Sequence, residues 1–104
     1  GQFESFLNVD PSENIVKIAK NCDTLIHEVY SIEGLKTKSN QAQRYHQNMH
    51  TSTEELAQLA NRIKPKTLVL THQLYWGQTP EGLLREIHYF YSGKVINGLD
   101  LMII

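Results

Sequence analysis

The segment "TLVLTHQ", residues 67–73, constrains the fold more than any other stretch. Leu68, Val69 and Leu70 are apolar in succession, so both faces of a strand there need cover. Helix signals stand on either side. "TSTE" at 51–54 reads as a capping box, with Thr51 as cap and Glu54 reaching back, and Leu56, Leu59, Ala60 and Ile63 carry a helical stripe to Pro65. Thr79-Pro80-Glu81 opens another helix, with proline at its first position, running through Leu83, Leu84, Ile87 and Tyr91 to Gly93. A buried strand between two helices predicts an α/β layer architecture.

The rest of the chain extends that pattern. Ile15, Ile18, Ala19 and Cys22 predict an amphipathic helix over 12–21, and "TLIHEVY" after Asp23 predicts a second strand. Residues 31–48, with Gly34 and a Gln/Asn-rich stretch, read as a loop holding one or two helical turns. Asn97-Gly98, between "KVI" and "LDLMII", predicts a hairpin. Three strands and a hairpin tip make a narrow sheet, and three helices are too few to cover both faces. The chain is therefore expected to self-associate or to pair with another chain.

Bulk properties exclude several functions. The 104 residues allow one domain at most. A net charge of −1 gives no electrostatic basis for nucleic-acid binding. No apolar run approaches the roughly 20 residues of a membrane span. Cys22 is the single cysteine, so no internal disulfide forms. No signal peptide is visible, the cytoplasm is only slightly favoured over other compartments, and Gly1 at the start suggests a fragment, a processed chain or a chain whose true start lies upstream. A DNA-reading helix-turn-helix starting at "TSTEELAQLANRI" is excluded, because the strand after Pro65 leaves no room for a recognition helix.

The five histidines are the candidates for chemistry. His72 follows a buried strand, where the active-site loops of α/β folds collect. His27 and Glu28 end the other strand, and only one of two adjacent side chains can face a given pocket. His50 stands just before the capping box, beside free helix N–H groups. His88 reads as packing. His46, placed in a polar loop, carries no signal, and no compact metal motif such as H-x-x-x-H on a helix or paired C-x-x-C is expected. Tyr75, Trp76 and "HYFY" read as core or pocket lining.

In order, "PSENIVKIAKNCDTLIHEVY" and "MHTSTEELAQLANRIKPKTLVLTHQ" resemble the carboxy-terminal half of metallo-β-lactamase-fold hydrolases, nearest to the branch of ribonuclease Z and its arylsulfatase-like relatives. The resemblance covers residues 11–104 and implies one half of an αββα sandwich, with residues 1–104 forming a single partial domain. It matches His27-Glu28 to the family's His-Glu pair, His50-Thr51-Ser52 to its "HST" loop, and His72 to its last metal-binding histidine. By resemblance His50 is the proton donor to the leaving group, His27 and Glu28 help to hold it, and His72 is a zinc ligand.

Two zinc ions are expected in the complete fold, and few or none in this chain alone. The H-x-H-x-D-H motif and the next histidine ligand are absent, and both belong to the family's amino-terminal half. Asn8 aligns with the bridging aspartate of its "GDT" turn, leaving Asp10, two residues away, as the candidate replacement. The expected activity is hydrolysis of a phosphate, sulfate or carboxylic ester, a small molecule being favoured over RNA, once the amino-terminal half is supplied. The competing reading is a non-catalytic assembly or binding module of the same fold.

Overall fold

The computed structural model describes residues 16–98. Residues 16–19 are helical, the end of the helix expected over 12–21; residues 12–15 lie outside the described part. Asn21, in a left-handed conformation (φ 60°), then turns the chain, and its N–H donates to the Ile63 carbonyl at 2.7 Å. Strand β1 (Thr24–Tyr30) follows, then helices α1 (Ile32–Leu35), α2 (Asn40–Met49) and α3 (Thr53–Ile63), strand β2 (Thr67–Leu74), helix α4 (Pro80–His88) and strand β3 (Val95–Asn97).

The three strands form one parallel sheet in the order β1-β2-β3. Leu68 and Leu70 of β2 and Val29 of β1 point to one face, where Leu56, Ala57 and Ala60 of α3 and Leu83 and Ile87 of α4 complete the core. On the opposite face Ile26, Val69 and Ile96 lie in register, and Ile26 is 64% exposed. Asn97 pairs in parallel with Leu70. The return strand of the expected hairpin lies outside the described residues.

Three sequence expectations need correction. The segment 31–48 holds two helices rather than a loop. Helix α2 buries no residue, and its few apolar residues, Ala42, Tyr45 and Met49, are set among polar ones and give only a faint stripe. Helix α4 gives way at Tyr89 rather than at Gly93, and Tyr91 joins the core from beyond it. The cap of α3 is Ser52, not Thr51: Ser52 accepts from the Glu55 N–H, and Glu55 accepts from the Ser52 N–H at 3.0 Å. "TSTEE" satisfies the box in both registers. Tertiary contacts decide, because Thr51 is tied to β1 through its carbonyl, which accepts from the Tyr30 N–H at 2.9 Å. Ser52→Ala should therefore cost about 1 kcal/mol in urea unfolding, the usual value of a lost cap, whereas Thr51→Ala should cost no cap.

Candidate functional site

The site grows from an irregularity between β1 and β2. Glu28 pairs with Thr71 but Val29 pairs with Gln73, so His72 is an extra residue in a β-bulge. It adopts a left-handed backbone conformation (φ 44°), uncommon for a residue with a side chain. The strand does not stop at His72, as its sequence suggests, but continues to Leu74. Beyond the bulge Gln73 donates to Asn97 Oδ1 at 2.6 Å and accepts from the Tyr75 hydroxyl at 2.7 Å, which anchors β2 to β3.

Glu28 organises the other side. Its Oε1 accepts the Thr51 N–H at 2.8 Å, so the segment after α2 is held to β1 through both polar backbone groups of Thr51. Its Oε2 lies 3.5 Å from Nδ1 of His50, the two side chains being 28% and 26% exposed. That is an ion-pair distance, longer than a good N–H···O bond. Oε2 is buried and has no hydrogen-bond partner among the described residues. A small rotation of the imidazole would supply one.

The rings then form a row. His50 and His72 have centroids 6.2 Å apart and planes inclined by 27°. His46 lies on His50 at 5.7 Å and 25°, and Trp76 lies on His46 at 4.5 Å. Tyr30 and the Lys38 ammonium, each 5.6 Å from Trp76, close the far end. Burial, and after it the Glu55 carboxylate, push the Tyr30 phenol above its ordinary pKa, which keeps it protonated. The Trp76-Gly77 turn runs close against α1, where a Cβ on Gly34 would collide with the Tyr75 carbonyl oxygen.

His50, His72 and Glu28 are thus brought together at one edge of the sheet. His27 is not. Its Nδ1–H donates to the Glu28 carbonyl at 2.8 Å, and strand alternation sends its ring to the opposite face from the Glu28 carboxylate. His88 is exposed, its Nδ1–H donating to the Tyr91 carbonyl at 2.9 Å. Asp10 lies outside the described residues. Among those residues no group of three or more His, Cys, Asp or Glu side chains could hold a metal ion, so the described part does not by itself constitute a metal centre. None of their helices is long and apolar enough to cross a membrane.

Sequence reasoning missed His46, which the sequence seemed to leave in a loop. Once α2 is a helix, "HQNMH" places His46 four residues before His50, on neighbouring positions of the helix end. It also missed Glu86. This carboxylate accepts four hydrogen bonds, from Ser31 Oγ (2.6 Å), Ile32 N–H, Thr53 Oγ1 and Gln78 Nε2 (each 2.8 Å). Those donors follow closely on Glu28, His50 and Trp76 in the chain, so one carboxylate gathers all three site-bearing segments from behind.

Comparison with known proteins agrees with the fold. No family model matches. Ribonuclease BN of Proteus mirabilis is 32% identical over 94 residues, 88% of this chain, and ribonuclease Z of Bacillus velezensis is 35% identical over 72 residues, 66% of this chain. The chain spans only 28% and 21% of the lengths of these curated relatives. The crystal structure of the metallo-β-lactamase fold protein YhfI from Bacillus subtilis superposes with a TM-score of 0.61 at 18% identity, over 82% of this chain and 32% of that one. In architecture the chain is similar to part of a metallo-β-lactamase fold, and in sequence it is similar to parts of two ribonucleases.

Proposed function

We propose that the chain is the carboxy-terminal part of a zinc-dependent hydrolase of the ribonuclease Z and arylsulfatase-like branch, cleaving a phosphate, sulfate or carboxylic ester. The observation that carries this reading is the His50 imidazole, with Glu28 on its Nδ1 edge and the near-parallel His72 ring 6.2 Å away. The identities to two ribonucleases support the branch. The net charge of −1 favours a small ester over RNA.

Each residue has a defined task. Glu28 receives the Nδ1–H of His50 and leaves Nε2 facing the substrate. The Nε2 proton passes to the departing oxygen as the ester bond breaks, and the imidazole is left neutral. His72 is one metal ligand and Asp10 the proposed second; the remaining donors come from the rest of a longer protein, which also covers the sheet face carrying Ile26. When bound, the metal supplies an activated water and polarises the ester. His27 has no step.

Metal content tests the reading. The full-length protein carrying this sequence should purify with zinc and hydrolyse a nitrophenyl phosphate or sulfate. Its His72→Ala variant should lose the metal, and residues 1–104 alone should hold zinc only weakly, since one or two donors compete poorly with water. Stoichiometric zinc in the 104 residues alone, or full zinc in His72→Ala, would contradict the assignment. A metal-loaded protein that never turns over any ester would point to a binding module instead.

A further inference from the structure

The proposed acid needs its ring fixed in one orientation, and Glu28 touches only one edge of it. At 3.5 Å this contact is too long to hold a plane by itself. Two rings lie near-parallel to it: His46, with its centroid 5.7 Å away and inclined by 25°, and His72, at 6.2 Å and 27°. His46 cannot retreat, because Trp76 backs it at 4.5 Å and is itself closed off by Tyr30 and Lys38. We propose that His46, seated on Trp76, is a positioning residue that holds the His50 imidazole so that Nε2 meets the leaving group. This rests on the reading of His50 as the acid.

The local chemistry supports a role for the ring rather than for its nitrogen. His46 Nδ1 is buried and has no hydrogen-bond partner among the described residues. A buried unpaired nitrogen is destabilising, and Nδ1 is too enclosed to reach substrate. What His46 offers His50 is a flat surface. Aromatic and imidazole rings at these separations attract one another, and the neighbour blocks rotation about the side-chain bonds of His50. Without it, the space between Trp76 and His50 lets the imidazole swing away from Glu28. Misplacement on the scale of an ångström costs a reaction heavily while leaving ground-state binding nearly intact.

The test uses the full-length protein with phenyl phosphate, whose poor leaving group depends on protonation. His46→Ala should lower kcat by about 10- to 100-fold with KM within about twofold. The ring-proton NMR signals of His50 should lose the upfield displacement produced by a stacked neighbour. His46→Phe restores a flat ring without the unpaired nitrogen. It should recover kcat to within about threefold of wild type, restore the displacement and raise Tm. Unchanged kcat and unchanged His50 signals in His46→Ala would overturn the proposal. So would a His46→Phe protein as slow as His46→Ala. If instead His50→Ala turns over like wild type, the acid assignment fails, and the His50 signals in His46→Ala still decide whether His46 positions the ring.

Discussion

Replacing His50 with alanine in the full-length protein should slow hydrolysis of a phenyl ester by about 10²–10⁴-fold without removing bound metal, the usual contribution of a general acid. The loss should depend on the leaving group. Nitrophenolate departs without help, so its ester should lose little when the proton donor is removed. Phenolate and alkoxides need the proton in the transition state, and their esters should lose most. Rates of His50→Ala and wild type on nitrophenyl, phenyl and alkyl esters, measured with metal content fixed, provide the check. Uniform slowing across the series would mean that His50 binds or shapes the site rather than giving a proton. Glu28→Gln should reproduce part of the pattern, because its single carbonyl oxygen cannot serve both the Thr51 N–H and His50 Nδ1 and it carries no charge.

Glu86→Ala should cost about 3 kcal/mol in urea unfolding at neutral pH. The estimate follows from leaving four donors without their shared acceptor, at roughly 1–3 kcal/mol per buried unsatisfied group and with strong non-additivity. Glu86→Gln should cost less, because its carbonyl keeps part of the set and the Ser31 and Thr53 hydroxyls can turn to accept from its amide. The contribution should also be acid-sensitive. Burial pushes the carboxyl pKa up, but the hydrogen bonds from Ser31, Gln78, Thr53 and Ile32 outweigh it and hold the value below the ordinary glutamate range. A lowered folded value means that this stability is complete above the unfolded-state pKa and is lost as pH falls through the folded one. Wild type should therefore lose more stability than Glu86→Ala as pH drops from neutral toward about 3. Parallel slopes for the two proteins would remove Glu86 from that role.

The legible parts of this fold are those in which a short run of residues carries its own signal. The apolar run at 68–70, the proline at the start of α4 and the α3 stripe all have local causes, and the strand–loop–helix order already implies that His50 and His72 share an edge. The illegible parts depend on partners distant in the chain. Glu86 looks like any surface glutamate until residues 31, 32 and 53, each more than 30 positions away, close around it. Helix α2 is mostly polar and buries nothing, so hydrophobic periodicity shows it only faintly, and with it went His46. The cap of α3 moved by one residue because two overlapping boxes compete and a strand contact chooses between them. The role shared by His27 and Glu28 comes from the resemblance alone, whereas strand alternation already puts two adjacent side chains on opposite faces.

The bulge at His72 carries a consequence for how this protein can change. Its left-handed backbone is one that glycine adopts freely and that costs most other residues of order 1 kcal/mol. At this position the backbone and the imidazole ask for different residues. Variants selected only for thermal robustness would drift toward glycine there, shedding strain and the imidazole together, while variants selected for turnover would keep the histidine and its strain. Deletion acts differently. Because Glu28 already pairs with Thr71 and Val29 with Gln73, removing the unpaired residue would close the two strands into a regular register, with Gln73 still opposite Val29 and only the bulge and its imidazole gone. The sheet can do without position 72, and only the site needs it.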